Sequence, residues 1–466
     1  MKKIAFFCIP AHGHTNPMLP VAAELVKRGN AVRFYSFNEF EQKILSTGAE
    51  FVSCDKYLPA ITQEEEKNLK NVNTTEMTLQ DIRITIGMND FLEKEFADFH
   101  PDVVYTDSVC FWGKLNAWKH KVPMVCSTST FAFNQLSSQY MKYSLGEMKE
   151  MIFGLPKISK ELKKLKPYGY QVESTLSLLQ NDNSTDTVVY TSRDLQPCAA
   201  SFSDHYAFVG PSVFSDLTPN KQKERPLVYI SLGTVINDRP DFYHKCIQAL
   251  SNMNADVIIS CGRYMDKSLL GELPANVQAF AYVDQLEVLS RADVFITHCG
   301  MNSVSESLYM AAPMILYPQT NEQRAVARRV EEKGAGLLLR DDSAKGIRKA
   351  VEKALNDSRY TAAANECCRD LRSCSGAAGA ADFIENAPHA SDGVDPLAQL
   401  NRSCKRFRLC YWLLAIALII LFAVLVSRNY TWIIGLAAGI LAYPIGNVFQ
   451  KIKFKSMCKK SKRQNL

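Results

Sequence analysis

The feature that most constrains this chain is an alternation, carried through twice, of short buried-type apolar runs with amphipathic stretches of helical length. Residues 4–9 form the first apolar run. Met18, Leu19, Val21, Ala22, Leu25 and Val26 then fall on one helical face, and Gly29 closes that stretch. Residues 31–37 return as a strand, and 103–105 and 124–126 are short strands around a further helical stretch. Strands separated by helices of this length pair in parallel, with the helices laid on the sheet faces. The second half repeats the plan with strands near 227–232, 257–260, 294–297 and 314–317. The expected fold class is α/β, with two Rossmann-like doubly wound domains. Residues 1–211 form the first and 226–386 the second, and the Pro-, Ser-, Asn- and Lys-rich stretch 212–225 is the linker.

The 466 residues suit two domains plus an appendage. Residues 387–408 read as a tether to that appendage. Residues 409–426 and 431–449 are then two apolar runs without a charge, each close to the roughly 30 Å of a hydrocarbon core when helical. Lys405, Arg406 and Arg408 precede the pair, a basic tail over 450–466 follows it, and only Arg428 lies between the runs. From their length, residues 409–449 are expected to be a transmembrane helical hairpin, oriented by the positive-inside rule. The catalytic body and both termini would then be cytoplasmic. A buried or re-entrant hairpin is the alternative. The tail also explains the net charge of +6. Residues 401–466 hold 12 Lys and Arg and no acidic residue, so residues 1–400 carry 42 basic against 48 acidic groups. The basic excess is not a nucleic-acid footprint on the body, and no nucleic-acid partner is expected.

The fourteen cysteines include no C-x-x-C pair and no Cys/His spacing suited to zinc. Cys8, Cys126 and Cys261 sit in apolar runs, where a thiol packs as a small hydrophobe. The N-terminus turns polar too soon for a signal peptide. A reduced, cytosolic body without a metal site is expected.

The chemistry concentrates at two strand ends of the second half. In residues 296–306, a buried strand ends at Thr297. The turn His298-Cys299-Gly300 follows, and a helix starts near Asn302. Ligands of open α/β sheets sit outside the carboxyl ends of the strands, and a helix N-terminus there favours a phosphate. Asn302 and Ser303 are also suited to capping that helix. His298 and Glu306, on the helix face of Asn302, extend the pattern to a diphosphate cradle with a carboxylate for a ribose. Ser231-Leu232-Gly233-Thr234 forms a second glycine turn after a strand. In the first half, His14 lies in the first strand-to-helix turn, where a neutral imidazole takes a proton near pH 7. Asp107 ends a buried strand on the same edge. It is either a helix cap or the carboxylate that orients His14.

Residues 2–387 resemble the UDP-glycosyltransferases of the GT-B fold, closest in look to the bacterial macrolide glycosyltransferase branch. Pro10-x-x-Gly13-His14-x-x-Pro17 is similar to that family's N-terminal signature. Residues 282–323 are similar to its donor box, through Gln285, His298, Gly300, Asn302, Ser303, Glu306, Pro318 and Gln323.

The resemblance implies two domains facing a cleft and an inverting, metal-independent transfer of a hexose from a UDP-sugar, a co-substrate rather than a cofactor. It makes His14 the base and Asp107 its partner. His298, Asn302 and Ser303 would meet the diphosphate, Glu306 the ribose, Tyr282 and Gln285 the base, and Glu322 and Gln323 the sugar. Tyr282 stands where many members carry tryptophan, Asp284 where proline is common, and Glu322 where aspartate is usual. The aromatic and methionine side chains between Phe131 and Leu165 suit a small lipophilic acceptor: a macrolide or polyketide, a sterol-like molecule or a lipid. A glycolipid or cell-wall-precursor glycosyltransferase, a nucleotide-sugar epimerase and a non-catalytic nucleotide-sugar binder are the alternatives.

Overall fold

The computed structural model describes residues 1–58, 74–141, 143–172, 178, 181–213, 217–221, 224–234, 236–262, 265–389 and 395–396. Residues 1–197 and 206–389 form one compact unit that contains both sheets. Residues 198–205 fall outside that unit, and within them Ala199–Ser201 makes a short 3-10 turn.

The first sheet has seven strands: β1 (Lys3–Phe7), β2 (Ala31–Ser36), β3 (Glu50–Ser53), β4 (Val103–Asp107), β5 (Met124–Thr128), β6 (Thr187–Val189) and β7 (Tyr206–Phe208). Their order is β3-β2-β1-β4-β5-β6-β7, and every pairing is parallel. In β1 the side chains of Ile4, Ala5, Phe6 and Phe7 are all buried, as a central strand covered on both faces requires. Phe7 stacks on Tyr35, and Phe6 meets Phe34 and Tyr105. The second sheet contains β8 (Leu227–Ser231), β9 (Asp256–Ser260), β10 (Val277–Phe280), β11 (Val294–Thr297), β12 (Met314–Leu316) and β13 (Gly336–Leu338), in the order β10-β9-β8-β11-β12-β13. Each order reverses direction once, between β1 and β4 and between β8 and β11. Those reversals open the crevices in which doubly wound sheets bind ligands.

After the second sheet the chain returns to the first. Ala380, Ala381 and Ile384 of helix Gly376–Glu385 lie in the first hydrophobic core. Arg28 bonds Asp382 at 2.6 Å and Glu385 at 2.8 Å, and Asn30 donates to Glu385 at 2.6 Å. Partly exposed ion pairs contribute about 0–1 kcal/mol, whereas burying one Ile side chain contributes about 1.5–3 kcal/mol. Packing therefore holds this helix, and the charges set its register.

The membrane part of the expected fold class is corrected. Among the described residues no helix is long and apolar enough to cross a membrane. The two longest, Thr74–Phe99 and Leu145–Leu162, carry charges along their length, including Asp81, Arg83 and Glu93 in one and Lys149, Glu150 and Lys157 in the other. Residues 409–449, on which the hairpin rested, lie outside the described residues, as do 397–408 and 450–466. Among the described residues the fold class is the two-domain α/β arrangement. The expected membrane localisation, with a cytoplasmic body, is not supported either.

Candidate active site

In the first half, the site follows from strand order. β1 and β4 are neighbours, with Phe7 opposite Thr106, so the turn after β1 and the end of β4 meet at one sheet edge. His14 stands in the first turn of helix His12–Lys27 and Asp107 is the last residue of β4. His14 Nδ1 and Asp107 Oδ2 are 2.8 Å apart. Asp107 is fully buried, and the His14 side chain is 28% exposed. The second carboxylate oxygen, Oδ1, accepts from the Val109 amide at 3.0 Å. The next helix, Phe111–His120, is capped at Cys110 without a side-chain bond. Asp107 thus bonds the imidazole and does not cap that helix. Burial lowers the His14 pKa, but the charge and hydrogen bond of Asp107 and the charge of Glu322 outweigh it, and the net direction is upward.

Pro17 shapes the same turn. It has no N–H, so the carbonyl of Gly13, four residues earlier, loses its helical donor. Asn302 Nδ2 of the second half donates to that carbonyl at 3.1 Å. His12, from the same motif, points elsewhere and pairs with Glu39 at 2.8 Å.

In the second half, β11 pairs with β8 so that Thr297 lies opposite Ser231. The turns that follow the two strands are therefore side by side. The His298 ring lies between their glycines. A Cβ on Gly233 would come within 2.5 Å of Cε1, and one on Gly300 within 2.5 Å of Nε2. Gly233 also has φ +80°, which a side chain disfavours. Burial pushes the His298 pKa down to about 4, with the Ser231 backbone opposing, so the ring is neutral at pH 7. Its Nδ1 is buried without a hydrogen-bond partner. Cys299 takes a left-handed φ of 69°, a strained conformation for a residue with a side chain.

Gly300 caps helix Met301–Tyr309 with no side-chain bond, leaving first-turn amides available to an anion. Neither Asn302 nor Ser303 caps it. Asn302 reaches Gly13, and Ser303 Oγ accepts from Gln285 Nε2 at 3.3 Å. Gln285 Nε2 also donates to Glu306 Oε2 at 2.6 Å, and Gln285 Oε1 accepts from Tyr229 at 3.2 Å. Gln285 thus holds the Glu306 carboxylate. Burial first, then the Asp284 charge, raises the Glu306 pKa to about 7 against the Gln285 bond. Tyr282 is 72% exposed, an open aromatic face. Thr234 follows Gly233 at the second turn, and Ser231 Oγ accepts from the Gly233 amide at 3.3 Å.

Glu322 and Gln323 open helix Asn321–Lys333 and do different things. Gln323 closes a capping box with Thr320, and its Oε1 also accepts from the Gln319 amide at 2.8 Å. Glu322 Oε1 accepts from Thr130 Oγ1 of the first half at 2.7 Å. Ser129 Oγ is 3.1 Å from His14 Nδ1. The sequence reading missed Ser129 and Thr130; their position directly after a buried strand, on the ligand edge, was the available signal. Among the described residues no group of three or more His, Cys, Asp or Glu is placed to hold a metal ion.

Residues 216–368 match the family described as UDP-glucoronosyl and UDP-glucosyl transferase. The NDP-glycosyltransferase YjiC of Bacillus licheniformis is 34% identical over 403 residues, covering 82% of this chain and 97% of that protein. The chain belongs to this family. Demethyllactenocin mycarosyltransferase of Streptomyces fradiae is 29% identical to the transferase over 401 residues, covering 83% of this chain and 86% of its own. The crystal structure of CalG4, the calicheamicin glycosyltransferase, is similar with a TM-score of 0.69 and 26% identity. It covers 84% of this chain and 100% of CalG4. The transferase is a glycosyltransferase of the bacterial macrolide type with the two-domain GT-B fold, and it takes a nucleotide-sugar donor.

Proposed function

We propose that the transferase moves a hexose from a UDP-sugar to a hydroxyl of a small lipophilic acceptor with inversion and without a metal ion. The observation that carries this reading is the 2.8 Å contact between His14 Nδ1 and the buried Asp107. With Nδ1–H given to the carboxylate, Nε2 keeps its lone pair for the acceptor proton. As His14 takes that proton, the acceptor oxygen bonds to the anomeric carbon, and the bond from that carbon to the UDP oxygen breaks. Asp107 stabilises the imidazolium. The leaving diphosphate gains charge, which the amides of helix Met301–Tyr309 and the neutral His298 ring are arranged to meet.

Glu306 and Tyr282 complete the donor reading, with Glu306 accepting from ribose hydroxyls and Tyr282 stacking on the base. Gln285 then acts mainly through Glu306. Glu306→Ala is expected to weaken UDP by roughly 10–150-fold, the value of a hydrogen bond to a charged group. Because the Glu306 pKa is raised to about 7, its carboxylate form grows as pH rises through that value. UDP affinity should climb over the same range in the parent and stay flat in Glu306→Ala. Calorimetry at pH 6 and pH 8 reads both effects, and equal UDP binding by the two proteins would remove Glu306 from the site.

The lipophilic acceptor is supported by helix Leu145–Leu162, which exposes Met148, Met151, Ile152, Phe153 and Leu155. Glu147, in its first turn, accepts from Asn321 at 2.6 Å, next to Glu322. Release of UDP from several UDP-sugars across a panel of polar and apolar acceptor alcohols, with product masses, tests the whole reading. Turnover confined to polar acceptors would overturn the lipophilic part.

A further inference from the structure

Ser129 and Thr130 are the first two residues beyond β5, and their hydroxyls serve different halves of the cleft. Ser129 Oγ lies 3.1 Å from His14 Nδ1 and 3.5 Å from Nε2. Thr130 Oγ1 donates to Glu322 Oε1 at 2.7 Å. A carboxylate only accepts, so with Asp107 ionised His14 Nδ1 must carry the proton of their shared bond. Ser129 then does not donate to that nitrogen. Its oxygen flanks the ring as a second acceptor and limits ring rotation. One dipeptide therefore touches both the base and a carboxylate of helix Asn321–Lys333.

We propose that Ser129 and Thr130 are positioning residues that tie the base to the donor half, so that His14 is fully poised only when Glu322 is seated on Thr130. This rests on the reading of His14 as the base. Seated on Thr130, the Glu322 carboxylate adds its charge to that of Asp107 in favouring the protonated ring. The base thereby gains proton affinity while Glu322 is held by Thr130, as a group that must take the acceptor proton requires. With Glu322 off Thr130, His14 keeps the charge of Asp107 but loses that of Glu322.

Thr130→Val removes the hydroxyl at constant shape, and Thr130→Ser keeps it. Thr130→Val is expected to lose about tenfold or more in kcat, the lower end for a hydrogen bond to a charged group. UDP affinity should stay near the parent value. The acid limb of its kcat–pH profile should move to lower pH, and Thr130→Ser should restore rate and limb together. Glu322→Gln should move the limb in the same direction, and adding Thr130→Val to it should change little further. An unmoved limb in Thr130→Val, or losses that multiply in full in the double variant, would overturn the coupling. The two readings fail separately. An active His14→Ala would remove the base itself, whereas an inactive His14→Ala beside an unmoved Thr130→Val limb would remove only the tie. Thermal unfolding of each variant identifies losses that come from misfolding.

Discussion

His14→Ala should lose turnover by about 10²–10⁴-fold, the usual worth of general-base assistance, while UDP affinity stays nearly unchanged. The split follows from position. His14 belongs to the first half, at the end of β1, and the proposed nucleotide contacts all come from the second half, at the ends of β8 and β11. The alanine also strips a hydrogen bond from buried Asp107 Oδ2. That costs on the order of 1–3 kcal/mol of stability and would blur a comparison of rates alone. His14→Gln is the better companion, because its amide can still donate to Asp107 but cannot take a proton at neutral pH. Both variants should be inactive with UDP binding retained in calorimetry. Less than about a tenfold loss in either, with the protein folded, would refute the assignment of His14 as the base.

Asp107→Asn should be nearly as damaging, for a reason written into its two hydrogen bonds. The Val109 amide needs an acceptor, and it takes the oxygen at the Oδ1 position. The asparagine nitrogen then faces His14 Nδ1 and turns that atom from donor into acceptor. The ring proton shifts to Nε2, the atom that should receive the acceptor's proton. A loss on the order of 10²–10⁴-fold is expected. The pH profile should change as well. In the parent the His14 pKa lies above its ordinary 6.5, so activity rises with pH through a point above that value as the ring becomes neutral. Without the Asp107 charge the residual activity should rise at lower pH. The stability linkage has the same sign: the pair's contribution is complete below 6.5 and is lost as pH climbs through the raised value. An Asp107→Asn enzyme with parental turnover and an unmoved acid limb would contradict the dyad.

Much of this site was legible because its parts are local. A buried run ending in a turn marks a ligand edge wherever it occurs, and that logic located His14, Asp107, Gly233, His298 and Gly300. What local pattern does not carry is which edges adjoin. The β1–β4 and β8–β11 pairings make the dyad and the double turn, and they come from sheet order. The same gap hid the uses of several polar side chains. Asn302 and Ser303 are good caps by type, yet one answers a carbonyl freed by Pro17 in the other half and the other answers Gln285. Gln323 was read as a sugar contact, and its amide oxygen is engaged in a capping box. The expected membrane hairpin had the opposite weakness. It rested on the length of apolar runs and on the Lys and Arg residues that flank them, with no polar group whose partner could be checked.

The return of helix Gly376–Glu385 to the first core bears on how the protein is made. Ala380, Ala381 and Ile384 fill space against side chains encoded more than three hundred residues earlier. An N-terminal half emerging from the ribosome therefore waits, with an apolar patch uncovered, until the whole nucleotide half has been synthesised. Domains usually fold in order of synthesis, but here the first to emerge is the last to be completed. A chain interrupted after the second sheet would keep every group proposed for the chemistry and still leave the core beneath the base open to water.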